Sequence, residues 1–231
     1  IEKYITGERK DLLKALYIDH AERIMMMPAA SIDHHHNTFP GGYVDHVMRV
    51  IDCALKLKNL WAETGAHINY TDEELVFAAL NHDLGKIGTE EAEQYMPNDS
   101  EWHRKNLGKI YKHNPVNPFL TVPDRGLFLL QQRGIRVTLN EYLGIKLHDG
   151  LYEDANKPYY ISHAKESKLR THLPILLHHA DHMASRIEYE AWEASQGTDS
   201  KVVEKRKPNV PTSMSENQKD DLMNMFNTLF K

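Results

Sequence analysis

Residues 75–88 read LVFAALNHDLGKIG, an apolar helical run that ends in adjacent His82 and Asp83 and then in Gly85 and Lys86. Charged and titratable groups are costly inside a core unless something pairs with them. A run this apolar that carries a His-Asp pair at its end therefore demands a partner for the pair, and other parts of the chain must supply it.

The chain has 231 residues, 41% of them apolar, enough for one sizeable domain with its own core. A net charge of −5 gives no support to non-specific nucleic-acid binding. The single Cys53 excludes an intramolecular disulfide and fits a reducing compartment. No stretch approaches the roughly 18–20 apolar residues of a membrane span, and no signal-peptide pattern opens the sequence. A cytoplasmic protein that does not enter membranes is expected. One count departs from the average: 15 histidines, several in apolar surroundings. Neutral imidazole is the commonest metal ligand.

Helical periodicity dominates. It predicts helices over residues 8–27 and 43–61, over 75–84 behind a Thr71/Glu74 capping box, over 123–133, and from a Thr138/Glu141 capping box to about His148. A long helix is expected to open at Pro174. Only YYISH (159–163) reads as a weak strand, so the expected class is all-α. Residues 1–196 form the expected domain and 197–220 a polar arm. Residues 221–231 read as an amphipathic helix, with apolar positions 222, 225, 226, 229 and 230. That helix is expected to dock back on the domain, with a homo-oligomer contact as the alternative. No internal repeat is visible.

Partners for His82 and Asp83 recur at intervals of about one helix plus a connection: His46, His113, His148 and Asp181. Separate helices can bring such residues to one point, as bundle-core metal sites do. A mixture of imidazole and carboxylate suits Mn, Fe, Co, Ni or Zn better than an all-oxygen Mg or Ca cage. A carboxylate such as Asp83 can bridge two ions, and Lys86, one turn on, can place a charge near a bound phosphate.

The ordered set His46, His82-Asp83 and Asp181, with Lys86 in HDLGK, resembles the HD superfamily of metal-dependent phosphohydrolases. HHHNTFPGGYVDHVMRV (34–50) is similar to that family's Gly-Gly segment before the first ligand. LHDGLYE (147–153) is similar to its His-x-Gly element, and LLHHADHMASRI (176–187) to its final Asp helix. The resemblance spans residues 34–190. It implies an HD-domain-like helical bundle in which His46, His82, Asp83 and Asp181 bind a first divalent transition metal ion. His113 and His148 would bind a second, with His103 as a competitor for His113. It further implies hydrolysis of a phosphate ester by a metal-bound hydroxide. Asp83 and Lys86 are the catalytic candidates; Lys86, His35 and His36 are the candidate substrate contacts. Similarity to HD-type 3′-to-5′ exoribonucleases points to a nucleotide or short nucleic acid.

Blander readings exist for each residue. His82-Asp83 alone would serve as a helix C-cap pair, His46 as a core histidine, Asp181 as a surface carboxylate, and the His34–His36 triplet as plain surface. Two functional rivals follow from the same ligands: an HD-fold mixed-valent di-iron oxygenase, against which Lys86 speaks, and a non-catalytic regulatory module.

Overall fold

Capping, periodicity and a few close approaches between backbones account for the architecture. The computed structural model describes residues 1–33, 37–197 and 215–231. Its first helical stretch is two helices, α1 (Glu8–Asp19) and α2 (Ala21–Met26), separated by His20. The break turns α2 so that Arg23 donates to the carbonyl oxygens of Thr89 and Glu90, while the His20 ring meets the Glu90 carboxylate at 3.1 Å. Next come α3 (Gly42–Glu63) and α4 (Asp72–Asn81). A short antiparallel ladder, β1 (Tyr95–Pro97) with β2 (Tyr111–His113), encloses α5 (Glu101–Leu107). The chain continues through α6 (Val122–Gln132), α7 (Leu139–Leu147), α8 (Lys157–Ile161) and the long α9 (Leu173–Gly197). It closes with α10 (Glu216–Asn227).

The all-α class holds, with corrections in detail. YYISH is no strand: residues 159–161 are the end of α8, and the two strands lie instead in a segment without alternating hydrophobicity. The α4 helix stops at Asn81, and Leu84–Ile87 form a 3-10 turn rather than its last residues. The terminal helix starts at Glu216, not 221, on a Ser215/Gln218 capping box. It docks on the domain: Phe226 and Leu229 are buried, α10 packs on α2 and α3, and the Ile1 ammonium donates to the Leu229 carbonyl at 2.6 Å. Most of the expected polar arm, residues 198–214, lies outside the described residues. No helix among the described residues is long and apolar enough to cross a membrane.

Both predicted capping boxes form, at Thr71/Glu74 and Thr138/Glu141, each N-cap stabilising by about 1 kcal/mol. They also join. Thr138 Oγ1 and Asn140 Nδ2 donate to Glu74 at 2.8 and 3.1 Å, and Arg9 bridges Glu73 and Glu141 at 2.6 and 2.9 Å. α4 and α7 thus start side by side and run in the same direction, which brings their C-terminal ends together. α3 and α9 pack along each other and cover this pair from the other side.

Gly85 is needed by packing. A Cβ there would stand 2.0 Å from the Val122 carbonyl oxygen and 2.9 Å from the Gly126 nitrogen. The start of α6 therefore presses directly on the 3-10 turn. Arg125 of α6 completes the clamp with a buried hydrogen bond to the Gly85 carbonyl at 3.1 Å. Gly85→Ala should cost about 1–3 kcal/mol by overpacking, roughly 2–12 °C of melting temperature for a chain of this size. An unchanged melting curve would contradict this close approach.

Candidate metal centre

Three histidines meet where α4 and α7 end under α3 and α9, and each is anchored through Nδ1. His82 and His148 are the C-caps of α4 and α7. At a helix end the last carbonyls lack helical partners. His82 Nδ1–H donates to the Ala79 oxygen at 2.7 Å and His148 Nδ1–H to the Ile145 oxygen at 2.8 Å. His46, in the second turn of α3, donates from Nδ1 to both oxygens of Glu188 at 3.1 and 3.2 Å. An imidazole anchored at Nδ1 presents Nε2 on its opposite edge, the arrangement of metal-ligating histidines backed by a carbonyl or carboxylate.

The Nε2 atoms converge on two carboxylates. His46 Nε2 lies 3.1 Å from Asp181 Oδ1 and 3.7 Å from Asp83 Oδ2. His82 Nε2 lies 3.4 Å from Asp83 Oδ2 and 3.9 Å from Asp181 Oδ1. His148 Nε2 is 3.7 Å from the other Asp83 oxygen, Oδ1. The His82 ring stands 5.5 Å from that of His46 and 4.9 Å from that of His148, centroid to centroid. Two donor sets, His46 with His82 and Asp83, and His82 with His148 and Asp181, each have their ligand atoms within 4.8 Å of one another. Buried His and Asp groups that could hold a metal ion are therefore present.

The electrostatics are those of a buried cluster of opposite charges. Burial opposes charge on His46, but hydrogen bonds and charge from Asp181 and Glu188 outweigh it and raise its pKa to about 10. Burial likewise opposes charge on His82, and the negative charge of Asp83 and Asp181 overcomes it. Burial would raise the Asp83 pKa, yet Lys86, His82 and His148 hold it well below the usual carboxylate range. Two acids deep in a fold are kept ionised only by the cations around them.

A cation fits this donor set. His82 Nε2 is buried without a hydrogen bond although it faces two carboxylates, the position a Lewis acid would satisfy. The cluster opens on one side: the Asp181 side chain is 20% exposed against 6% for Asp83. Lys86 Nζ borders it, donating to Asp83 Oδ2 and to the Ala29 oxygen, both at 2.6 Å. Lys86 also lines a cavity of about 460 Å³ with Tyr95, Tyr111, Met27 and Arg23.

Of the expected residues, His46, His82, Asp83, His148 and Asp181 are brought together, with Lys86 beside them. His113 is not brought to them. Its strand pairs with β1, and the register sets the exposed His113 ring against Tyr95. It lines a surface depression of about 600 Å³ together with its competitor His103. His35 and His36 lie outside the described residues. Sequence reasoning missed Glu188, the buried acceptor behind His46, which is also paired with Arg49 at 3.2 Å. Its position was detectable: Glu188 follows Asp181 by two helical turns on the same face of α9.

Comparison with known protein families, curated proteins and solved structures returned no match.

Binding an ion here should stabilise the fold by mass action, about 2.7 kcal/mol at a hundredfold excess over Kd, or roughly 5–11 °C. Thermal melts with Mn²⁺ or Zn²⁺ should show that rise, chelator should reverse it, and His82→Ala should abolish it. An equal shift in the variant would place the ion elsewhere.

Proposed function

We propose that the protein is an HD-type metal-dependent phosphohydrolase that cleaves a phosphate ester of a nucleotide or short nucleic acid. The observation that carries this reading is Lys86 at the edge of a buried His/carboxylate cluster. An ammonium beside a candidate metal centre is suited to holding a phosphoryl group. The mixed nitrogen and oxygen donors suit Mn, Fe, Co, Ni or Zn.

The bound ion would supply Lewis acidity toward a phosphoryl oxygen and lower the pKa of a water. The protein's own residues do the rest. Lys86 uses two of its three N–H groups on Asp83 and Ala29, which leaves one for a phosphoryl oxygen. Its ammonium keeps Asp83 ionised and fixed in direction. Glu188 holds the His46 ring in place through Nδ1. Asp181, the partly exposed carboxylate that His46 keeps ionised, can orient the attacking water as a hydrogen-bond acceptor, and the proton that water loses goes to the leaving oxygen. The leaving alcohol exits on the open side. The cavity beside Lys86 offers the Tyr95 and Tyr111 rings and the Met27 side chain to the organic part of the substrate.

A screen of the Mn-loaded protein against deoxynucleotides, cyclic nucleotides and short RNA and DNA should find a hydrolysed ester. His82→Ala and Asp181→Asn should lose at least about a hundredfold in rate, the scale of removing one charge-stabilising group. Lys86→Ala should be impaired as well. If every ester stays intact while iron-loaded protein consumes oxygen, the hydrolase reading fails in favour of an oxygenase.

A further inference from the structure

Residues 88–94 carry the chain from the Lys86 turn to β1 along the cavity beside Lys86. Gly88, at φ 101°, lets them double back so tightly that a Cβ there would stand 2.0 Å from the Ala92 carbonyl oxygen. Asn117 ties the two ends of this loop together. Its Oδ1 accepts from Thr89 Oγ1 at 3.0 Å, and its Nδ2 donates to the Glu93 carbonyl at 2.9 Å and to Gln94 Oε1 at 3.2 Å.

These partners fix the orientation of both amides. Turned over, Asn117 would set its oxygen against the Glu93 carbonyl, so Nδ2 must face that carbonyl and Gln94 must give Oε1 to Asn117. What Gln94 has left is Nε2, a group that only donates. The residue is 6% exposed and borders the cavity. Its Nε2 makes no hydrogen bond among the described residues, yet it is not sealed from solvent. A fixed donor without a partner, at the wall of a cavity, calls for an acceptor on whatever enters.

The rest of the cavity suits a flat ring. Met27 and Pro40 give it apolar surface, and Tyr95 and Tyr111 give it aromatic faces. Glu93, exposed at the same cavity, brings carboxylate acceptors beside the Gln94 donor. We propose that this cavity is a base-reading slot in which Gln94 Nε2 donates to the keto oxygen, and Glu93 accepts from the ring N–H, of guanine, uracil or thymine. The inference rests on reading the protein as one that acts on nucleotides, and it adds which bases are taken. Adenine and cytosine carry an amino group where those bases carry the keto oxygen, and a bare ring nitrogen where they carry N–H. Both contacts would then be mismatched, donor on donor and acceptor on acceptor. Lys86 borders the same cavity, so a single nucleotide would set its phosphoryl group there and its base at Gln94.

The test reads base preference rather than turnover. The protein as purified is titrated calorimetrically with the slowly hydrolysed 5′-thiomonophosphates of guanosine, uridine, adenosine and cytidine. Guanosine and uridine forms should bind at least about tenfold more tightly than the other two, the scale of one well-made base contact. Gln94→Glu keeps an acceptor for Asn117 Nδ2, and so keeps the loop, but turns an acceptor toward the slot. Each base then has one matched and one mismatched contact, and the folded variant should bind all four alike. A merely structural role for Gln94 would weaken all four equally and preserve their ratio. Equal binding by the wild type, or the wild-type ratio in Gln94→Glu, would overturn the base reading and leave ester hydrolysis standing. Binding of none would overturn the slot and the nucleotide substrate together.

Discussion

The Asp83 carboxylate is the group around which the rest of the structure is arranged. It is buried at the end of an apolar helix, and a buried charge left without partners costs several kcal/mol. The fold surrounds it with positive or proton-bearing groups from four elements: His46 on α3, His82 at the end of α4, Lys86 on the 3-10 turn that follows, and His148 at the end of α7. Removing its charge would leave Lys86 and His82 without their main counter-charge. The cluster is coherent only as a whole, and a cation among its inward-facing nitrogens would complete it.

The placement of these groups follows from helix chemistry. A helix C-terminus has spare carbonyls, and a C-cap histidine can anchor Nδ1 on one of them while pointing Nε2 outward. Two parallel helices started by adjoining capping boxes end level with one another, so two such histidines arrive at the same place without any loop to position them. The Gly85 contact with α6 then sets the turn that carries Asp83 and Lys86, and α9 contributes both Asp181 and the Glu188 support for His46. Helix lengths, more than loops, determine where the ligand atoms stand.

Much of this was legible in the residues. Thr71/Glu74 and Thr138/Glu141 announce their helices, and the His-Asp pairs fall where the apolar periodicity ends. His46 and Asp181 stand among apolar neighbours on long periodic segments. What escaped detection lies in segments where periodicity carries no information. The two three-residue strands were invisible because neither alternates, and so His113 was expected near the cluster instead of on a surface ladder. The break at His20 is set by contacts to residues 89 and 90, far away in sequence.

The most direct measurement is an anomalous difference map from crystals of the protein loaded with Mn²⁺ or Zn²⁺, recorded at the edge of the added metal. The account predicts a peak bounded by His46 Nε2, His82 Nε2 and the carboxylates of Asp83 and Asp181. An empty map at that position, or a peak only in the surface depression between His103 and His113, would contradict it.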